Sequence, residues 1–515
     1  MGSTWPGCLL AAILFVTSVD VAAQMSAVDA GQRMYREGIL LSGDPMTAIV
    51  AGDVPIIGTQ FSCESCHGRS GMGAAEGAYV VPPTAAQFLF VESPQPKRPA
   101  YDAESLARLL REGVTPSGRV LSEELMPRYP LADRDVTALT AYLATLSAGN
   151  SPGVDDKVIR FATVVTEDVD PGGREAVLAV LNRFAEEVNR QTRLEGERWD
   201  RGYTPESRLP TVFREWVIEE WALSGSPETW EKQLDSYYQQ QPVFAMLGGL
   251  GTGSWRPVSD FCEQQEIPCL FPGTDSPLAR DGDFYTLYFS RGLLLEADLI
   301  AAHLSAQPTK RVIQVYCDPD VALAVTALRQ SLEQAGTEEE TIAHDCREPL
   351  PRLAASDETA TVLWLRNDQL TGLPAGRNYL SSTLLGSDLS ALPLSSQGSV
   401  FMAHPFRLPG SIDPAMRRFE LWAKTRGIDI TTPRQQAQAF FTCLALKHAL
   451  KHMGRFFVRD YVLDMLDHAQ NLVAYLPFYP RATLGPGQRF LSKGGYVLPI
   501  TDGRLETADA EWILP

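Results

Sequence analysis

Five consecutive residues, Cys63-Glu64-Ser65-Cys66-His67, carry the most specific chemistry in the chain. Two thiols separated by two residues, with an imidazole directly after, have the spacing of covalent c-type haem attachment. The thiols form thioethers with the two vinyl groups of one porphyrin. The two intervening residues let both sulfurs reach the same ring edge. The next residue then turns its imidazole to the iron, where histidine is a common proximal ligand. A redox cysteine pair or half a zinc site, with the histidine adjacent by chance, is the competing reading. Gly68, Gly71, Gly73 and Gly77 follow closely, and such glycine density suits backbone wrapped near a flat ligand.

Other reactive residues are less specific. Five cysteines remain beyond the haem pair and Cys8, namely Cys262, Cys269, Cys317, Cys346 and Cys443, so at least one thiol is left unpaired. Cys317 and Cys346 end two strands expected to be neighbours, and a disulfide between them is expected if their Cα atoms approach within ~7 Å. Cys262 and Cys269, on a helix and the next strand, form a second candidate pair. Cys443 lies in the apolar run AFFTCLAL and is expected as a buried free thiol. His448 and His452 have i,i+4 spacing, but no Glu follows His448, so the zinc-protease pattern is absent. The run Gly248 to Gly253 is no phosphate-binding loop, because no Gly-Lys-Ser/Thr follows it.

The elements that must position these residues fall into two groups. Ahead of residue 150, helices are expected over Ala27 to Gly38, Asp102 to Gly113 and from Asp133 onward, where Val136, Leu139, Tyr142, Leu143 and Leu146 make one stripe. The stretch Ser42 to Gly58 is expected as loop. Residues 147–157, small and polar with Gly149, Pro152 and Gly153, form a linker. Beyond them strands and helices alternate, which implies a parallel sheet covered on both faces. The tail Leu472 to Ile500 is expected to be β-rich.

The stretches AGQRMY, CESCHG and LMPRYPLADRDVTALTAYLATL resemble, in that order, the class I cytochrome c family. The resemblance implies an all-α cytochrome domain over 24–146 holding one covalent haem c on Cys63 and Cys66, with His67 and Met126 as axial iron ligands. His67 is the only histidine between residues 24 and 150, which leaves no second imidazole in the domain. Met72 lies too near His67 to reach the opposite face easily, and Met34 and Met46 precede the motif. A thioether in the sixth position closes the iron to peroxide, so a haem peroxidase is disfavoured and no enzyme activity is expected.

The stretches FAMLGGLGTGSWRPVSDFCEQQEIPCLFPGTDSP, RVIQVYCDPDVALAVTALRQSLEQAG and LGPGQRFLSKGGYVLPI resemble the type I periplasmic binding proteins, the branched-chain amino acid receptor class, and within it the subgroup associated with PQQ-dependent alcohol dehydrogenases. This implies a two-lobed α/β periplasmic-binding-protein fold over 158–515, with a small molecule bound at the carboxyl ends of the strands. The loops there carry Thr166, Gly249, Thr252, Gly273, Thr274 and Asp275 in the first lobe, and Tyr316 and Asp318 in the second.

The 515 residues, with 44% hydrophobic composition and a formal net charge of -18, suffice for several buried cores and argue against a nucleic-acid partner. The apolar run Leu9 to Val16 and the small residues Val21-Ala22-Ala23 read as a signal peptide over 1–23, although no Lys or Arg precedes the run. The run is shorter than the ~20 residues of a membrane span, and no later stretch is long and apolar enough. Export to the periplasm fits both haem attachment and disulfides. The leading expectation is therefore a periplasmic mono-haem electron carrier whose receptor-like domain senses a ligand or docks to a redox partner such as a PQQ-dependent dehydrogenase. The alternative is a solute-binding protein of an ABC-type uptake or sensing system, with haem as a redox modulator.

Overall fold

The computed structural model describes residues 26–200 and 214–515, apart from 77–78, 95–96, 352, 354–355, 357, 387–388, 390–391, 393–398, 470–473 and 486. The expected signal peptide lies outside the described residues. The chain divides between Ala148 and Gly149 into two compact units.

The first unit is built on the packing of two helices, Ala27–Glu37 and Asp133–Leu143. Ser26 caps the first by accepting from the Asp29 N–H at 3.1 Å, and Gly38, at φ +70°, ends it. Gly31 sits at the crossing. A Cβ there would lie 2.1 Å from the Ala138 carbonyl oxygen, so only glycine permits this approach. Tyr35 and Tyr142 meet beside it with ring centroids 5.5 Å apart. A third helix, Ala103–Glu112, begins in a capping box between Asp102 and Ser105 and buries Leu106, Leu109 and Leu110. These side chains join Met34, Val136, Leu139 and Leu143 in one core.

The unit is not all-α. It holds three two-stranded antiparallel ribbons: Thr47–Val50 with Val54–Ile57, Ala74–Glu76 with Tyr79–Val81, and Ser93–Pro94 with Lys97–Arg98. The first falls where a loop was expected. Its strands are mostly β-branched, and the intervening turn places Gly52 and Asp53 at positive φ, a conformation that closes a tight hairpin.

The second unit has two α/β lobes. In the first, the apolar strand Val158–Thr166 is central and pairs in parallel with Glu215–Leu223, Ala245–Leu247 and Leu250–Ser254. Gly273–Ser276, Cys269–Leu270 and Thr286–Leu287 extend the sheet, again in parallel. In the second lobe the order is Glu338–Ala343, Arg311–Tyr316, Thr359–Trp364, Arg377–Ser381 and Val400–His404, all parallel, then Tyr496–Thr501 and Arg504–Leu505 antiparallel. The alternation of strands and helices thus yields parallel sheets, and the hydrophobic runs lie where both sheet faces are covered.

Three assignments differ from expectation. Helices Leu293–Ser305 and Pro414–Arg426 were not anticipated. Leu293–Ser305 is apolar on nearly every face, which hides helical periodicity, because it is buried in the second lobe's core. Among its described residues the tail is largely irregular up to Tyr496. Helices Pro433–Met453 and Arg459–Asp467 return to the first lobe, where Phe440, Phe441, Leu446, Val462 and Leu463 join the core of Phe161, Val180 and Phe244. The chain therefore crosses between the lobes more than once. Among the described residues no helix is long and apolar enough to cross a membrane.

Candidate functional site

In the first unit the motif forms a single helical turn, Cys63–His67, closed by Gly68 at φ +74°. The His67 Nδ1 lies 2.9 Å from the Pro82 carbonyl oxygen. That bond makes Nδ1 the donor, fixes the ring and leaves the Nε2 lone pair for a metal. The loop that follows is tightly folded. A Cβ on Gly73 would lie 2.2 Å from the Val81 carbonyl oxygen, and Gly73 donates to the His67 carbonyl at 2.9 Å. Cys63 and Met126 are both partly buried against the unit's core, and the Met126 carbonyl accepts from Arg128 Nη1 at 2.7 Å. The unit also exposes Ile57, Val80, Val120 and Leu125, each more than half accessible.

In the second unit a cavity of about 430 Å³ opens between the lobes at the carboxyl ends of their strands. Thr252, Gly273, Thr274 and Asp275 line it from the first lobe, and Arg366 and Thr383 from the second. Thr432 and Arg434, at the start of helix Pro433–Met453, close its rim. Asp275 is the electrostatic centre. Its Oδ2 lies 3.5 Å from Arg366 Nη1 and its Oδ1 3.6 Å from Arg434 Nη2. Burial raises this carboxyl above its ordinary value, although Arg434 and Arg366 pull it down. Gly292, at φ +54°, passes so close that a Cβ would lie 2.3 Å from the Asp275 carbonyl oxygen.

A second carboxyl, Glu296, lies fully buried behind Thr383. Its Oε1 accepts from the Thr383 N–H at 3.0 Å and the Thr383 hydroxyl at 2.8 Å, while its Oε2 has no hydrogen-bond partner among the described residues. Burial pushes it up to about 7, against lowering contributions from Ser381, Thr383 and Arg434. The lobes also touch directly. The Thr252 hydroxyl is shared between Asp168 and Asp320, the latter at 3.1 Å, and the Ser276 hydroxyl donates to the Asp320 carbonyl at 3.2 Å.

Four of the expected ligand residues lie outside this lining. Thr166 is buried and donates to the Leu250 carbonyl at 3.3 Å. Gly249 is required by packing, since a Cβ would lie 2.8 Å from the Trp255 ring. Tyr316 packs against the second lobe's core. Asp318 caps a short helical turn and reaches Arg366 Nε only at 3.7 Å. Arg366, Thr383, Thr432 and Arg434 escaped the sequence reading. Arg366 lies just past the carboxyl end of strand Thr359–Trp364, the position at which ligand residues are expected in parallel sheets. Arg434 lies on a helix and carries no such signal.

Cys317 and Cys346 form a disulfide, their Cα atoms 5.2 Å apart, because the strands preceding them are adjacent and pair Tyr316 with Ala343. The expected Cys262–Cys269 pairing is corrected: both are buried free thiols, and Cys262 turns toward Met246 Sδ, 3.5 Å away. Cys443 is also buried and free. Among the described residues no group of three His, Cys, Asp or Glu could hold a metal ion, and the rings of His448 and His452 lie 4.6 Å apart without a third partner of that kind.

No protein-family model and no curated protein matches the chain. Solved structures with a similar fold include a branched-chain amino acid ABC transporter protein from Thermus thermophilus with bound valine, 11% identical, covering 69% of this chain and 96% of its own, with a TM-score of 0.49. A leucine-binding protein from Thermotoga maritima is 11% identical, covering 70% and 99%, with a TM-score of 0.45. An ABC transporter substrate-binding protein from Aeropyrum pernix is 12% identical, covering 70% and 96%, with a TM-score of 0.47. At these identities the likeness concerns the two-lobed fold alone. The expectation of a chain that is principally an electron carrier, docked to a dehydrogenase, is corrected accordingly. The similar structures are named as transport or binding proteins, and the cavity described above lies in the two-lobed unit.

Proposed function

We propose that this chain is a periplasmic solute-binding protein of an uptake or sensing system, which takes a small molecule between its two lobes. The observation that carries this reading is the interlobe cavity, lined from both lobes and spanned by the Arg366–Asp275–Arg434 charges. Its size falls in the range of small-molecule sites, and a ligand touching both lobes would favour their closed arrangement. Thr252 and Ser276 then act as latches, because their bonds to Asp320 exist only with the lobes together. The Cys317–Cys346 disulfide is consistent with an oxidising compartment.

The first unit, in this proposal, carries one haem c on Cys63 and Cys66, with His67 and Met126 on the iron. When bound, haem supplies a reversible one-electron change, which makes it a redox modulator of the receptor. The chain's own contribution is orientation: the Pro82 carbonyl holds the His67 ring by its Nδ1 and directs Nε2 away from it.

The test is a thermal-shift screen of the purified, exported chain against small periplasmic metabolites, in oxidised and reduced forms. A saturable shift is expected from at least one solute, with a different midpoint in the two redox forms. No shift from any solute overturns the solute-binding reading, and equal shifts in both forms remove the modulator role.

A further inference from the structure

Resting on the solute-binding reading above, we infer that the cleft selects an organic carboxylate without an α-ammonium group, gripped by the guanidiniums of Arg366 and Arg434. Both side chains line the cavity and are partly buried, 28% and 27% exposed. Each offers five N–H donors and no acceptor. The two share one carboxylate, Asp275, at 3.5 and 3.6 Å, longer than the ~2.7–2.9 Å of a tight charge-assisted hydrogen bond. Arg366 gains only a distant second contact, 3.7 Å to Asp318. Its Nη2 is buried and has no hydrogen-bond partner among the described residues, and the Thr432 hydroxyl at the rim is in the same condition. The cavity therefore holds an unmet guanidinium donor on Arg366. A planar carboxylate with two acceptor oxygens matches a guanidinium fork directly.

An ammonium group has a less favourable place. The central lining carboxylate, Asp275, is flanked on both oxygens by arginines, so a cation approaching it meets two like charges first. Asp170, the other lining carboxylate, is exposed, and its Oδ2 already accepts from the Gly173 N–H at 2.9 Å. Leu250, Tyr288, Phe289, Leu384 and Leu385 supply an apolar wall for the rest of the ligand.

The experiment is calorimetric titration of the full chain with two matched sets of probes. The first is 4-methylpentanoate, 4-methylpentanamide, 3-methylbutylamine and leucine; the second is benzoate, benzamide and benzylamine. The carboxylate of at least one set should bind at least tenfold more tightly than its amide, its amine and, in the first set, leucine. Arg366→Gln and Arg434→Gln should each weaken that carboxylate at least tenfold, and Arg366→Lys, which keeps the charge but not the fork, should fall between. Circular dichroism and melting of each variant separate lost binding from lost folding. Tighter binding of an amine or of leucine, indifference to the arginine substitutions, or no heat from either carboxylate overturns the assignment. The solute-binding reading itself fails separately, only if a periplasmic metabolite mixture also produces no thermal shift.

Discussion

The two regions that carry chemistry are encoded in opposite ways. In the first unit Cys63, Cys66 and His67, proposed to hold haem, lie within one helical turn, and the proposed second iron ligand, Met126, comes from elsewhere. In the cleft, Asp275, Arg366 and Arg434 come from a strand, a loop and a helix start in widely separated stretches. Covalent attachment at two points of one ring demands contiguity, whereas grip on a diffusing solute demands only convergence. A contiguous site can be recognised before folding is understood. A convergent one cannot.

The largest effect that would break this contrast is on colour. Cys63→Ala with Cys66→Ala should abolish the visible haem absorption of the exported chain entirely, while solute-induced thermal shifts of the two-lobed unit persist. A coloured double variant in a denaturing gel would refute attachment at these cysteines. Next in size is Gly31→Leu. The side chain would collide with the Ala138 carbonyl, and overpacking of this kind costs about 3 kcal/mol or more. Hydrogen exchange should accelerate in residues 27–37 and 133–143 and stay unchanged in the lobes.

Cys317→Ser with Cys346→Ser opens a closure with a sequence separation of 29 residues, which the chain-entropy relation puts at about 3.6 kcal/mol. The urea-unfolding free energy of the second unit should fall by that amount, moving its midpoint lower, with the first unit's transition unmoved. The smallest effect is pH-dependent and belongs to the cleft. Glu296 ordinarily titrates near 4.5 but is pushed up to about 7 by burial. Below the lower value both folded and unfolded chains hold the proton, so stability carries no penalty. As pH rises toward 7 the unfolded chain releases its proton first, and the folded state loses about 3 kcal/mol. The melting temperature should therefore fall by a few degrees between pH 5 and pH 8, and Glu296→Gln should flatten that dependence.

Much of the fold was legible where pattern and burial agree. Val158–Thr166 and Val400–His404 read as strands because parallel strands covered on both faces are continuously apolar. Helix Ala103–Glu112 announced itself through Asp102, its leucine stripe and Gly113. Leu293–Ser305 did not, since burial on nearly every side erases the helical period. The hairpin over 47–57 is hidden by its short strands and by the Gly and Asp of its turn, which also read as loop. In the cleft, Thr252, Gly273, Thr274 and Asp275 were anticipated from their place at strand ends, while Gly249 and Thr166 shared that place but serve packing and loop geometry.

The amino-acid sequence alone specified the contiguous Cys63–His67 motif, the alternation that makes two parallel sheets, and the adjacency that joins Cys317 to Cys346. Those follow from spacing and periodicity, which are properties of neighbours along the chain. Tertiary structure alone decided that Arg366 and Arg434 face one another across Asp275, that Glu296 is buried beside them, and that Cys262 and Cys269 stay reduced. Those depend on side-chain direction and on which loops converge when the lobes meet, and no local pattern records either.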